Sequence, residues 1–211
     1  WHVKSTFNKY AQVANMHGLN GFQTANRIRQ AYGLEYVQKN QVPGSLTDFY
    51  NPADKSINLS QTSMQPSVAA MAVVAHELGH AQQDKEGYAM MRLRSSIVGI
   101  ANFGSGLGPY LVMFGLIFSG GRGGFGYTMA LIGLVLFAAG VAFTLVTLPV
   151  EFDASNRAKR MLAEQGMVSV EEQAAVNKVL SAAAWTYVAS AAQAVLTLLY
   201  FAIRVFGVRR D

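Results

Sequence analysis

The chain has 211 residues, of which 51% are hydrophobic and 14% are charged, and it carries a formal net charge of +5. It contains no cysteine, which excludes disulfide bonds, thiolate metal ligands and cysteine nucleophiles. The positive charge is scattered over several polar segments and forms no basic run interleaved with aromatic residues. Anionic lipid is therefore favoured over nucleic acid as a partner.

The first 94 residues form a polar region of mixed predicted secondary structure. A helix is predicted over 24–32 and strands over 35–42, 46–50 and 57–60, with a turn at 51–54. This pattern indicates a small α+β region. An exposed edge strand in this region can bind an extended peptide through backbone hydrogen bonds. A hairpin with a structural role only is an equally good interpretation of these strands.

Residues 76–80 read His-Glu-Leu-Gly-His, an H-E-x-x-H motif inside a helix predicted over about 66–87. Residues four apart lie on one face of a helix, so His76 and His80 can bind one metal ion with Glu77 beside them as a general base. This is the pattern of a zinc peptidase, and the alternative is a helix surface with two incidental histidines. Gly79, between the histidines, leaves room for the close approach of another backbone.

Three segments without any charged residue follow, at 95–121, 123–150 and 179–203. Each is long enough to cross about 30 Å of hydrocarbon as a helix. Buried helices of a soluble domain are disfavoured because only Arg122 separates the first two segments. We predict a polar region over 1–94, a transmembrane hairpin of 95–121 and 123–150, a polar helical segment over 151–178 and a transmembrane helix over 179–206.

A catalytic zinc usually has three protein ligands, so the histidine pair needs a third. Two membrane spans return the chain to the side it left, and Glu151 and Asp153 come directly after the second span. Positions two apart on a helix point about 200° from one another, so only one of these carboxylates can face the metal. Glu151 has the longer side chain and is preferred, with an ordinary carboxylate paired to Arg157 or Arg160 as the alternative.

The two remaining histidines, His2 and His17, lie in sequence that is polar and reads as flexible. We interpret both as surface residues. The charged residues that follow the H-E-x-x-H motif, among them Asp84 and Arg92, place its helix at the membrane surface and not inside the bilayer.

Five short motifs are spread over nearly the whole chain: VKSTF at 3–7, LTD at 46–48 with Tyr50 and Pro52, AHELGHA at 75–81, RLRS at 92–95 and LPVEFDAS at 148–155. In these motifs the chain resembles the YugP-type neutral zinc metallopeptidases, a family of bacterial membrane proteases. The last motif also resembles the E-x-x-A-D pattern of membrane gluzincins, which falls on Glu151, Ala154 and Ser155, with serine in place of aspartate.

The resemblance implies a mainly α, multi-pass protein of the bacterial inner membrane, with a small α+β zincin-like region followed by three transmembrane helices. It also implies a further transmembrane helix before Val3. Zn²⁺ would be held by His76, His80 and Glu151, with Glu77 as the catalytic base for hydrolysis of peptide bonds at the membrane surface.

The expected substrates are peptides or proteins, membrane proteins included. The alternative from another class is a non-enzymatic, zinc-containing membrane scaffold or chaperone. An intact Glu77 argues against it, because a purely structural zinc site has no use for a base. Lysines and arginines near the ends of the spans favour the cytoplasmic side for the active site.

Overall fold

The computed structural model describes residues 2–119 and 124–207. The chain divides into two compact units, one made of Trp1–Tyr88 and Val150–Thr186 and the other of Ala89–Pro149 and Tyr187–Asp211. The side chain of His2 and the predicted boundary between spans at 121–123 lie outside the described residues.

The first unit begins with helix α1, His2–Ala11. This corrects the expectation of flexible sequence at the start, because the apolar side chain of Phe7 is only 3% exposed and holds the helix against the core. Helix α2, Gly21–Tyr32, was predicted from residue 24. It begins earlier because Asn20 caps it, in a capping box with Gln23.

Three short strands follow: β1 is Gln38–Val42, β2 is Phe49–Asn51 and β3 is Ser56–Ser60. The sheet order is β1-β3-β2, with β1 parallel and β2 antiparallel to β3. The three predicted strands are confirmed, but β1 and β2 each begin three residues late. Two local features explain the late start of β2. Leu46 has a φ of 56°, which is outside the extended range, and the side chain of Asp48 accepts a hydrogen bond from the amide of Ser60.

Helix α3, Val68–Lys85, carries the H-E-x-x-H motif. The side chain of Ser67 caps it by accepting a hydrogen bond from the amide of Ala70, so Pro66 precedes the cap and does not occupy the first helical position. The first half of α3 is apolar and buried. Gly87, with a φ of 64°, follows the last turn and ends the helix as expected.

Three long helices complete the chain: α4 is Ala89–Ile117, α5 is Phe125–Glu164 and α6 is Val170–Phe206. All three are long and apolar enough to cross a membrane. Their bounds differ from the predicted ones, since 151–164 continues α5 and 170–178 begins α6, with Gly166 at φ 57° in the turn between them. Pro149 lies inside α5 and does not open a helix.

Within the second unit, α4 and α5 pack closely through small residues. A Cβ built on Gly108 would lie 2.9 Å from the carbonyl oxygen of Gly133, so the two backbones touch where neither has a side chain. Small residues allow such an approach between helices in lipid. Gly108 therefore has a packing role, as do Gly104 and Gly115 of α4, which also meet backbone atoms of α5.

Candidate metal centre

The candidate metal centre lies where α3 meets the part of α5 that belongs to the first unit. Gly79 packs against the backbone of Ala154, with no side chain on α3 to hold the helices apart. The expected close approach at Gly79 is confirmed. This contact places His76 and His80, on either side of Gly79, opposite Glu151.

The ligand atoms of these three residues all lie within 4.8 Å of one another. The Oε2 atom of Glu151 is 3.2 Å from His76 Nε2 and 3.7 Å from His80 Nε2. A zinc ion with ligands at about 2.0–2.1 Å in tetrahedral geometry separates its ligand atoms by roughly 3.3 Å. The observed spacing therefore fits a zinc ion, and two imidazoles with one carboxylate form a known catalytic donor set.

The centre is enclosed by protein. Glu151 is 3% exposed and His80 is 8% exposed, while the His76 side chain retains 14% exposure. A buried carboxylate is costly unless charge and hydrogen bonds compensate it. A divalent cation between the three side chains would supply that compensation and still leave an opening on the His76 side.

Gln83 orients the second histidine. Its amide nitrogen Nε2 donates to the carbonyl oxygen of Val150 and to Asp153 Oδ2, each at 2.8 Å, so its Oε1 must face His80. His80 Nδ1 lies 2.9 Å from that oxygen and donates its proton to it. His80 Nε2 consequently faces Glu151 and is the nitrogen that would bind a metal.

Ser155 contacts the first histidine. Its Oγ lies 3.2 Å from His76 Nδ1 and gives this ring nitrogen a polar partner. The two imidazole rings stand at 81° to one another with centroids 4.8 Å apart. Each ring thus has an outer partner on Nδ1 and presents Nε2 to Glu151.

A family model described as "Putative neutral zinc metallopeptidase" matches residues 1–206. The chain belongs to this family of zinc metallopeptidases. It is 41% identical over 210 residues to a Bacillus subtilis (strain 168) protein described as "Putative membrane protease YugP", and the match covers 99% of this chain and 90% of that relative. No solved structure matches the chain. The resemblance predicted from the five motifs is confirmed.

Asp153 lies outside the group of three candidate ligands and bonds other residues beside it. Its Oδ2 accepts hydrogen bonds from Gln83 and, at 2.6 Å, from Arg157 Nε. Arg157 also forms an ion pair at 2.6 Å with Glu86, at the end of α3. Arg157 is therefore a salt-bridging residue, and it ties α5 to the end of α3 beside the centre.

Glu77, the predicted base, is 8% exposed. Burial raises the pKa of its carboxyl group above the usual range, and the nearby imidazoles of His76 and His80 counteract part of that rise. The charge of Asp48, the residue before β2, also raises the pKa of Glu77. A carboxylate with a raised pKa is a stronger proton acceptor.

Burial by itself lowers the pKa of His80, but hydrogen bonding to Glu151 and its negative charge outweigh burial, so that the pKa is raised. A metal ion bound to His80 would replace the proton on the coordinating nitrogen, because a histidine ligand must be deprotonated there. Zinc and a proton therefore compete for the same site.

The sequence alone selects no donor to an oxyanion among Tyr50, Tyr88, Tyr110 and Arg157. Tyr50, one of them, donates its hydroxyl proton to Asp84 at 2.5 Å, and Asp84 also accepts from Lys55 Nζ at 2.6 Å. Tyr88 is half-buried just after α3, and Tyr110 lies in the second unit. His17 is exposed as predicted, and its Nε2 lies 2.9 Å from the carbonyl oxygen of Gly166.

Sequence reasoning missed Gln83. Its position three residues after His80 places it on the same helix face, and this spacing is a signal that could have identified it.

Proposed function

We propose that this protein is a zinc-dependent protease that hydrolyses peptide bonds at the membrane surface. The observation that carries the proposal is the convergence of His76 Nε2, His80 Nε2 and a Glu151 carboxylate oxygen at metal-ligand spacing, next to Glu77. Membership of a zinc metallopeptidase family and a relative described as a membrane protease support it.

When bound, zinc supplies a Lewis acid that polarises the scissile carbonyl and lowers the pKa of water. Glu77 accepts a proton from the attacking water while the water oxygen bonds to the carbonyl carbon. It then gives this proton to the amine nitrogen as the carbon–nitrogen bond breaks. One peptide bond and one water are thus converted into a carboxyl group and an amino group, and a proton passes from the first to the second to give a carboxylate and an ammonium group.

The buried surroundings of Glu77 suit this role. Its raised pKa brings the carboxylate closer in basicity to the water that it must deprotonate. Gln83 and Ser155 hold the two imidazoles in fixed orientations, so that no reorganisation is needed when substrate arrives.

Strand β2 offers a place for the substrate backbone. Among the described residues it pairs with β3 alone, so its other edge has free backbone donors and acceptors. Asp48, which directly precedes β2, acts electrostatically on Glu77 and thereby links this edge to the base. We infer that an extended peptide, from a soluble or a membrane protein, binds along β2.

The location at a membrane surface rests on α4, α5 and α6, which have the length and composition of membrane spans. Glu151 comes directly after the uncharged stretch 123–150, and three charged residues, Asp84 to Glu86, follow the histidines on α3. Charged side chains are costly inside the hydrocarbon region, so these residues favour a position at the surface of the bilayer. We assign the protein to the bacterial inner membrane, with the centre on the cytoplasmic side.

The test is hydrolysis of a fluorescently labelled, denatured protein by the purified protein in detergent, with zinc measured in the same sample. We expect about one zinc per chain, loss of hydrolysis on chelation and recovery with added zinc. The Glu77→Gln variant should keep zinc and lose at least about a hundredfold in rate, because an amide cannot accept the proton. Stoichiometric zinc without hydrolysis in the wild type would favour the scaffold alternative.

Equal rates in the wild type and in Glu77→Gln would contradict the assigned base. Loss of zinc in that variant would instead show that Glu77 helps to hold the metal.

A further inference from the structure

A second cavity lies outside the metal centre, between α1 and α6 in the first unit. Its volume is about 370 Å³, and none of its lining residues belongs to the metal centre. It is lined by Thr6, Lys9 and Tyr10 on α1 and by Lys178, Ser181, Ala182 and Trp185 on α6. We call it the basic pocket.

The basic pocket is built from one face of each helix. Its residues on α1 are spaced three and four apart, and those on α6 follow the same spacing over two turns. Phe7 is buried and fixes α1, while Ala182 is buried at the floor on α6. The walls are therefore parts of two regular helices and not of a loop.

The chemistry of the basic pocket favours an anion. Its two charged residues are lysines, and it contains no carboxylate. Among the described residues, neither lysine forms an ion pair, although Lys9 Nζ lies 5.5 Å from the centre of the Tyr10 ring. The hydroxyl groups of Thr6, Tyr10 and Ser181 add hydrogen-bond donors. Two ammonium groups with hydroxyl donors suit a phosphate.

Its position along α6 favours a phosphate at a membrane surface. Lys178 is the last charged residue before the uncharged stretch 179–203. Trp185, two turns later, is 67% exposed, and tryptophan is enriched at the level of lipid headgroups. If α6 crosses the bilayer, as the proposed membrane location requires, the basic pocket opens at the depth of the headgroups.

We propose that the basic pocket binds the headgroup of an anionic phospholipid. Lys9 and Lys178 neutralise the phosphate, the hydroxyl groups donate hydrogen bonds to its oxygens, and Trp185 lies along the start of the acyl chains. Because α1 contributes half of the lining, the bound lipid ties α1 to the membrane end of α6. This proposal rests on the membrane location and does not depend on proteolysis.

The experiment measures lipid retention by native mass spectrometry of the detergent-purified protein. The probes are phosphatidylglycerol, phosphatidylcholine and inorganic phosphate, added separately at equal concentrations. We expect preferential retention of phosphatidylglycerol. A Lys9→Ala/Lys178→Ala double variant should bind it about 30-fold more weakly, or about fivefold for each lysine near the membrane surface.

The matched control is Lys4→Ala/Lys159→Ala, which removes the same charge outside the basic pocket and should retain the lipid. The Lys9→Arg/Lys178→Arg variant keeps the charge and should bind nearly as well as the wild type. Equal binding by the Lys9→Ala/Lys178→Ala variant, or an equal loss in the control, would overturn the proposal. Displacement of the lipid by equimolar inorganic phosphate would show a phosphate site and not a lipid site.

Hydrolysis of the soluble labelled protein, measured on the same variants in lipid-free detergent, should be unchanged. If the wild type hydrolyses peptides but retains no lipid, only the proposed lipid binding in the basic pocket is refuted. Lipid retention by a wild type without hydrolysis would refute only the proposed protease function.

Discussion

Gly79 on α3 lies directly against Ala154 on α5, and a Cβ built on Gly79 would come within 2.5 Å of the carbonyl oxygen of Ala154. No side chain of α3 separates the two helices at this contact. Because His76 and His80 flank Gly79 and Glu151 is one turn before Ala154, this contact sets the spacing of the proposed zinc ligands.

We therefore expect Gly79→Ala to weaken zinc binding by at least tenfold. The added methyl group would press on backbone atoms that cannot rotate away, which typically costs about 1–3 kcal/mol. Zinc affinity, measured by competition with a chelating dye, is the readout. The matched control is Gly99→Ala on α4, where a Cβ meets nothing within 4 Å and zinc affinity should be unchanged. Equal affinity in both variants would show that the contact does not set the site.

The hydrogen bond between His80 and Gln83 leads to a second prediction. Gln83→Leu keeps a similar volume but removes the acceptor for His80 Nδ1 and the donor to Val150 and Asp153. Zinc affinity should fall about ten- to a hundredfold, as is typical when an outer partner of a ligand is lost. Gln83→Glu restores the acceptor and should recover part of the affinity.

If Gln83 only stabilised the helix, the Gln83→Leu and Gln83→Glu variants would not differ in zinc affinity in this way. The two variants should therefore be compared at matched thermal stability of the zinc-free protein. If Gln83→Leu binds zinc as tightly as the wild type, the orientation of His80 does not depend on Gln83.

Membrane topology provides a third prediction. Asp54 and Glu171 belong to the same compact unit, so we expect them to lie on one side of the membrane. Phe125, the first residue of α5, should lie on the other side because one span separates it from each of them. Single cysteines can be introduced at these positions, since the chain contains none.

A membrane-impermeant thiol reagent should label the Phe125→Cys variant in right-side-out vesicles and the other two only in inside-out vesicles. The reason for this orientation is the number of lysines and arginines near the span ends on the side of the metal centre. Labelling of Asp54→Cys and Glu171→Cys in opposite vesicle types would contradict the shared side. Labelling of both in right-side-out vesicles would overturn the cytoplasmic assignment alone.

The elements of the fold that depend on local pattern were predictable from the sequence. The H-E-x-x-H helix, the three strands and the three long apolar helices each have a periodicity or composition of their own. Helix α1 was not predicted, because its polar sequence becomes helical only when Phe7 is buried against other elements. The continuation of α5 past Pro149 was also missed, since proline usually ends a helix in water.

In the metal centre, too, residues in a local motif were predictable, whereas residues placed by contacts between distant segments were harder to predict. His76, Glu77 and His80 share a motif, whereas Glu151 required an argument about topology and a family resemblance. The spacing of Gln83 from His80 could have indicated their hydrogen bond, but its bond to the carbonyl oxygen of Val150, 67 residues away, has no sequence pattern. The basic pocket likewise depends on α1 meeting α6, at opposite ends of the chain.

The last prediction distinguishes the two carboxylates of α5. Glu151 Oε2 lies 3.2 Å from His76 Nε2, whereas Asp153 Oδ2 bonds Gln83 and Arg157. Glu151→Ala should therefore abolish stoichiometric zinc binding, because it removes one of three ligands. Asp153→Ala should keep zinc with an affinity about ten- to a hundredfold lower, since it removes only an outer partner.

The measurement is zinc content by elemental analysis after dialysis against a weak chelator, together with the affinity of each variant. Asp153→Asn is the matched control, because an amide can still accept a hydrogen bond from Gln83 although it loses the charge that pairs with Arg157. Its zinc affinity should lie between those of the wild type and Asp153→Ala. Stoichiometric zinc in Glu151→Ala, or its complete loss only in Asp153→Ala, would reverse the assignment of the third ligand.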